Sequence, residues 1–271
     1  MRRGKLVIAA IIAVISLITY YASSSDNPIT GETQHVGSIT HEQEVALGLQ
    51  AAPEMAAQFG GVSSDVQATQ AVNDVCARLV SRSDAQQAAE YYRFECHLLA
   101  DPNTINAFAL PGGQVFITEG LMSKLKTEGE LAGVLGHEIG HVVARHSAQQ
   151  MAKAQLTQGL TGAAVLATYD PSDPSTQRTA AVAAMIGQLV SMKFSRADEI
   201  EADQLGVKLE SEAGYDPRAM VEVMKVLEAE AGGSRQPEFF STHPNPENRI
   251  PRIEEAIRAQ FPNGVPSGLT P

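Results

Sequence analysis

The sequence has no tryptophan and only two cysteines, Cys76 and Cys96. Neither belongs to a Cys-x-x-Cys pair, which excludes a cysteine-built zinc module and a disulfide-dense scaffold. Two readings remain for the pair, twenty residues apart. They form a disulfide tying a helix to the following strand, or they are two buried thiols; an oxidising compartment favours the bridge. Basic residues are also scarce, 20 against 31 acidic ones, for a formal charge of −11. Without the first 24 residues, which carry Arg2, Arg3 and Lys5, the body has 17 against 31, or −14. So acidic a body excludes nucleic acid as a partner and disfavours electrostatic docking on anionic lipid. Internal repeats and long low-complexity tracts are missing, and past the N-terminus no segment reaches the ~18 consecutive apolar residues of a spanning helix. Solenoids and multi-span membrane proteins are thereby excluded. With 44% hydrophobic residues in 271, a sizeable globular core is expected.

The N-terminus reads as a targeting element. Arg2, Arg3 and Lys5 precede an apolar run from Leu6 to about Tyr21, followed by small and polar residues. Residues 1–24 are therefore expected to be either a cleaved signal peptide or a retained membrane anchor. Either way the body is exported to the periplasm or cell envelope. Residues 25–40, polar with Pro and Gly, are expected to be an extended tether. The folded domain is expected over 41–262, and 263–271 as a mobile tail.

Within the body one stretch dominates, LAGVLGHEIGHVVARH from Leu131 to His146. His137, Glu138 and His141 form a His-Glu-x-x-His pattern. On a helix, positions i and i+4 share a face, so both imidazoles reach one cation, while Glu138 faces a water rather than the ion. Thr127 with Glu130 reads as a capping box, and Leu131, Val134, Leu135, Val142 and Val143 as an apolar stripe. The five-residue pattern alone arises by chance too readily to carry the assignment, and a catalytic zinc centre needs a third protein ligand. Glu199 is the best candidate, because Asp203 lies one helical turn on and can accept a hydrogen bond from a ligand imidazole. His146, at i+5, packs behind the site. Upstream, residues 93–100 read as a strand, and Asn106 to Thr118, with Pro-Gly-Gly at its centre, as a hairpin. Segments 154–168 and 179–192 read as core or lid helices.

Four motifs in order, NAFALPGGQVF, HEIGHVVARH, SRADEIEAD and THPNPENR, make the chain resemble the HtpX/Oma/CAAX-prenyl-protease family of zinc metallopeptidases over about residues 40–260. The exported bacterial LoiP- and BepA-type members, without the helical repeat domain, are the nearest in character. The resemblance implies an α+β, mainly helical, gluzincin-like domain whose small sheet lays an edge strand over the zinc helix. It implies one Zn2+ per chain held by His137, His141 and Glu199, with Glu138 as the base and Asp203 behind a ligand. His243 would act on the oxyanion or bind zinc in a closed resting state, with Arg249 as its neighbour. Asn106 and Ala109 would bind substrate as extended peptide along the edge strand, or belong to a purely structural hairpin. The expected function is an exported zinc endopeptidase acting on misfolded or misassembled envelope proteins, with membrane association. The alternative is a latent, His243-capped zinc protein that serves mainly as a binding factor.

Overall fold

The computed structural model describes residues 2–166, 193–231, 237–244 and 249–271. The expected helix over 179–192 lies outside the described residues. What is described is mainly helical, with a two-stranded and a three-stranded sheet.

Helix α1 spans Arg2–Ala22, and strands β1 (Ser24–Asp26) and β2 (Thr33–His35) pair antiparallel behind it. The stretch expected as an extended tether is therefore a packed hairpin. Asn27 is buried at its turn, where its side chain donates to the Val143 carbonyl at 2.8 Å and to Gln34 Oε1 at 3.3 Å. Helices α2 (His41–Gln58), α3 (Val66–Ser81) and α4 (Ala85–Ala88) follow. Strands β3 (Glu95–Leu99), β4 (Ala107–Leu110) and β5 (Gln114–Thr118) form the larger sheet in the order β3-β5-β4. In it β3 runs parallel and β4 antiparallel to β5, with Phe108 opposite Phe116. The β4–β5 turn uses Gly112 and Gly113 at φ of +84° and +107°. A Cβ on Gly112 would stand 2.4 Å from the Val45 Cα, so the turn needs glycine for space as well as for its left-handed backbone. A disulfide joins Cys76 of α3 to Cys96 of β3.

After the short α5 (Glu119–Met122) comes α6 (Glu128–Val143), the centre of the fold: every residue from Gly129 to Val143 is buried. Thr127 caps it by accepting from the Glu130 N–H, but the Glu130 carboxylate accepts from Lys126 N rather than from Thr127, so the expected reciprocal capping box is only half made. Helix α7 (His146–Leu166) lies along α1, with Ser16 against Gly159. No described helix is long and apolar enough to cross a membrane. Helices α8 (Arg196–Glu212), α9 (Arg218–Ala231), α10 (Phe239–Thr242) and α11 (Arg249–Gln260) complete the domain.

The α6–α8 contact places the site. A Cβ at Gly140 would meet the Ala202 carbonyl at 3.0 Å, and one at Gly206 the His137 amide at 3.2 Å. Small residues on both helices let the two backbones touch, which carries the acidic side chains of α8 up to the histidines of α6. The C-terminal residues expected to be mobile are pinned instead. Pro271 O accepts from Gly129 N in the first turn of α6, and Thr270 exchanges backbone bonds with Gly214 and Asp216. These bonds supply an acceptor to a helix end that would otherwise lack one.

Glu210, further along α8, is wholly buried, and neither of its carboxyl oxygens has a hydrogen-bond partner. Burial first, then the nearby Asp216 charge, pushes its pKa well above the carboxylate range. A group raised in this way leaves stability intact below its unfolded pKa, near 4.5, and takes it away as pH rises through the folded value. Glu210→Met is therefore expected to raise stability at pH 7 by about 1–3 kcal/mol and to flatten its decline above about pH 5. Denaturation midpoints measured across that range check this; unchanged midpoints and slope would refute it.

Candidate metal centre

One turn of α6 presents His137 and His141 on a common face, their Nε2 atoms 3.1 Å apart. From α8, Glu199 brings a carboxylate to 3.6 Å from His137 Nε2 and 3.5 Å from His141 Nε2. From the end of α10, His243 Nδ1 lies 3.1 Å from Glu199 Oε1 and 3.5 Å from His137 Nε2. One donor atom from each of these four buried residues lies within 4.8 Å of the others. Buried imidazole nitrogens do not gather around a carboxylate at these distances to bond one another, since two facing lone pairs repel. Glu199 Oε2 and His243 Nε2 are moreover buried without hydrogen-bond partners. The donor set, three nitrogens and one carboxylate oxygen, fits a divalent cation of the zinc type.

A second layer holds the ligands. Asp203, one turn beyond Glu199, accepts from His137 Nδ1 at 2.9 Å, which turns Nε2 toward the cluster. Arg249 of α11, itself buried, grips Asp203 through Nε at 2.7 Å and Nη2 at 2.8 Å, and reaches Glu199 at 3.3 Å. Burial alone would raise the Asp203 pKa, but the Arg249 charge and the His137 hydrogen bond lower it to about 2. On the other ligand, His141 Nδ1 meets His146 Nδ1 at 2.7 Å, and His146 Nε2 lies 3.3 Å from Glu201 Oε2. With Nε2 of His141 facing the cluster, its Nδ1–H donates, His146 accepts, and the remaining His146 N–H points to Glu201. Phe194 stacks on His141 with centroids 4.0 Å apart, and Phe239 stacks on His243 at 4.4 Å.

Glu138 stands apart from the donor set. It is wholly buried, neither oxygen has a hydrogen-bond partner, and His243 Nε2 lies 3.6 Å from its Oε1. Burial raises its pKa, with His243 and His137 pulling the other way. His243 shows the opposite balance: burial opposes its charge, but Glu138 and Glu199 outweigh that and raise its pKa.

The structure thus brings His137, Glu138, His141, Glu199, Asp203, His243 and Arg249 together. Asn106 and Ala109 lie beside them at and on the edge strand β4, while Cys76 and Cys96 lie elsewhere, between α3 and β3. His35, His41 and His97 are outside the cluster, stacked on Tyr20, Tyr91 and Phe116 respectively. Sequence reasoning missed the His146–Glu201 link, since it considered only Glu199 and Asp203 on this helix. It also missed the stacked rings, although the four-residue spacing of Phe239 and His243 was a usable sign. The corner between α6 and α7 was not foreseen either. There Arg145 takes a left-handed φ of 56° and forks onto Glu44 at 2.9 and 2.6 Å, while Tyr92 donates to the same carboxylate.

A fully buried His-Glu-x-x-His helix, an edge strand beside it and a buried carboxylate brought to it by a second helix define a metallopeptidase domain. Sequence comparison agrees: the model for Peptidase family M48 matches residues 38–257, and the chain belongs to that family. The mitochondrial metalloendopeptidase OMA1 of Schizosaccharomyces pombe is 37% identical over 188 residues, 66% of this chain and 51% of its own length. The beta-barrel assembly-enhancing protease of Escherichia coli K12 is 34% identical over 188 residues, 67% of this chain and 37% of its own. That of Yersinia pestis is 32% identical over 219 residues, 79% and 43% respectively. The chain therefore spans about half or less of the length of these relatives.

Proposed function

We propose that this protein is a zinc endopeptidase of the cell envelope that cleaves unfolded or misassembled proteins bound as extended peptide. The observation that carries the reading is a buried His137–His141–Glu199 donor set with an unpartnered Glu138 beside it. When bound, zinc supplies Lewis acidity, acidifying a water toward a pKa of about 7 and polarising a carbonyl. Glu138 takes the water's proton and returns it to the leaving amine. Asp203 and His146 hold the two ligand imidazoles in the tautomers that aim Nε2 inward, and Arg249 keeps Asp203 ionised for that task. The free side of β4 pairs with the substrate backbone, which selects extended chains over folded ones.

His243 supports a second reading of the same site. Its ring is one of the four clustered donors, so it would hold the ion together with the other three, leave no place for water and make the resting protein latent. Swung away, it donates to the oxyanion instead. The test is casein cleavage with metal analysis, on wild type and His243→Ala. Cleavage lost on chelation and restored by one zinc per chain is expected, and an inert wild type with an active His243→Ala identifies latency. Metal-independent cleavage, or none by either protein, overturns the peptidase reading.

The envelope location is supported by the basic-then-apolar N-terminus and by a disulfide, which persists in oxidising compartments. Along α1, Leu6, Ile8, Ile11, Ile15 and Ile18 are exposed, an apolar surface suited to membrane association. A reporter that is active only after export, fused behind residues 1–40, tests the location. A reporter that stays inactive would refute it.

A further inference from the structure

Each imidazole of the α6 pair is held by its far nitrogen, and both holds lead back to α8. For His137 the hold is direct, since Asp203 accepts from Nδ1 at 2.9 Å. For His141 it is indirect: Nδ1 meets His146 Nδ1 at 2.7 Å, and His146 Nε2 lies 3.3 Å from Glu201 Oε2. His141 and His146 are buried, whereas the Glu201 side chain is 27% exposed. On an unbroken helix, a residue five positions beyond His141 would stand about 140° round from it and face away. His146 faces His141 because the helix breaks between them, at Arg145, whose φ of 56° lies in the left-handed region that non-glycine residues rarely adopt. The Arg145 side chain fixes that turn. Its guanidinium bonds Glu44 of α2 at 2.9 and 2.6 Å and donates to the Ile39 carbonyl at 2.9 Å, while Tyr92 donates to the same carboxylate at 2.8 Å. A backbone state of this kind persists only where its surroundings over-determine it.

We propose that Glu201 is a positioning residue for His141, acting through His146, and that the Arg145–Glu44 corner sets His146 for that task. The proposal rests on the metal-centre reading for what His141 holds, and adds how a half-exposed acid outside the donor set governs it. The proton order carries the argument. To bind an ion, His141 must present a bare Nε2, so its proton sits on Nδ1 and donates to His146 Nδ1. His146 then keeps its own proton on Nε2, where Glu201 accepts it. Without that acceptor nothing favours a proton on His146 Nε2. A proton on His146 Nδ1 instead would face the His141 Nδ1–H across 2.7 Å, unless His141 moves its own proton to Nε2. An Nε2 that carries a proton cannot bind an ion. Glu201 thus does for His141, through a relay, what Asp203 does for His137 by contact. Three alternate acids of α8 serve one centre, Glu199 among the donors and the other two behind the imidazoles.

Two measurements on the full chain, both at constant pH, test this: the His141 tautomer in metal-free protein by nitrogen NMR, and zinc affinity by chelator competition. Wild type is expected to show His141 with its proton on Nδ1. In Glu201→Leu a mixture of tautomers is expected, with zinc bound about 10- to 100-fold more weakly. Leucine fills much of the same space on a partly exposed helix face and strands no buried charge, so folding is not at issue. Glu201→Gln, whose amide oxygen still accepts, is expected to match wild type on both readouts. Arg145→Met alone would strand Glu44, so the corner is tested as Arg145→Met with Glu44→Gln, which is expected to shift both readouts as Glu201→Leu does. Wild-type tautomer and affinity in Glu201→Leu, or a glutamine variant as weak as the leucine one, overturns the positioning role. Unshifted readouts in the double variant overturn the part given to the corner. Both shifts in Glu201→Leu, without any turnover by wild type or His243→Ala, would instead count against the peptidase reading and leave the positioning role standing. Zinc-dependent turnover with neither shift would do the reverse.

Discussion

Glu138→Gln is expected to bind one zinc per chain as tightly as wild type and to lose turnover by a factor on the order of 10²–10⁴. Glutamine has the same shape and fills the same space, so the helix and its two histidines have no reason to move. What it lacks is a basic oxygen. Glu138 is not among the clustered donor atoms, so metal affinity is not expected to depend on it. Most catalytic substitutions confound chemistry with folding, because a buried partner is left unsatisfied. Here neither carboxyl oxygen has a hydrogen-bond partner to lose. The variant is therefore expected to be no less stable than wild type, and removing a carboxyl whose ionised form burial disfavours works in the same direction. Metal content, denaturation midpoint and casein turnover, measured on one preparation, check all three statements. Turnover within tenfold of wild type would remove Glu138 from the reaction, and loss of the metal would make it a structural residue.

How far the sequence reaches can be judged residue by residue. The α6 site was legible because its information is local: two histidines at i and i+4, and on α8 a carboxylate with another one turn on. The hairpin over Asn106–Thr118 was legible for the same reason, since its glycines mark a turn that no other residue fits. What escaped depends on contacts distant in sequence. The Asn27 side chain reaches a carbonyl 116 residues away, so a polar, apparently loose stretch becomes a packed hairpin. Thr270 and Pro271 are fixed by backbone bonds, which leave no trace in composition. Glu210 has no motif to mark it in an acidic helix, and the glycine-lined approach of α6 packs against it. The same approach fixes Glu199 and Asp203, so one packing feature both made the site and concealed an acid beside it.

Arg249→Met is expected to destabilise the protein by about 3–5 kcal/mol, and far less when combined with Asp203→Asn. The guanidinium and the Asp203 carboxylate are both almost wholly buried and share two hydrogen bonds, at 2.7 and 2.8 Å. Methionine replaces the volume of the arginine stem but strands a carboxylate in a medium where a lone charge is costly. Asparagine at 203 removes that charge, and its oxygen still accepts from His137 Nδ1, so the double variant keeps the ligand's orientation while relieving the penalty. The pH dependence carries the same information. A carboxyl with a folded pKa near 2 and an ordinary value of 3.8 contributes stability that is complete above about pH 4 and disappears as pH falls through 2. The size of that contribution is about 2 kcal/mol. In Arg249→Met the acid limb should move up in pH, because the Arg249 charge is the first of the effects holding the Asp203 pKa down. Urea titrations of the four proteins of the cycle, run with chelator so that metal binding does not enter the balance, give the coupling directly. A coupling below about 1 kcal/mol, or an acid limb that does not shift, would mean that Arg249 merely fills space. Its place in the site would then rest on its 3.3 Å approach to Glu199 alone.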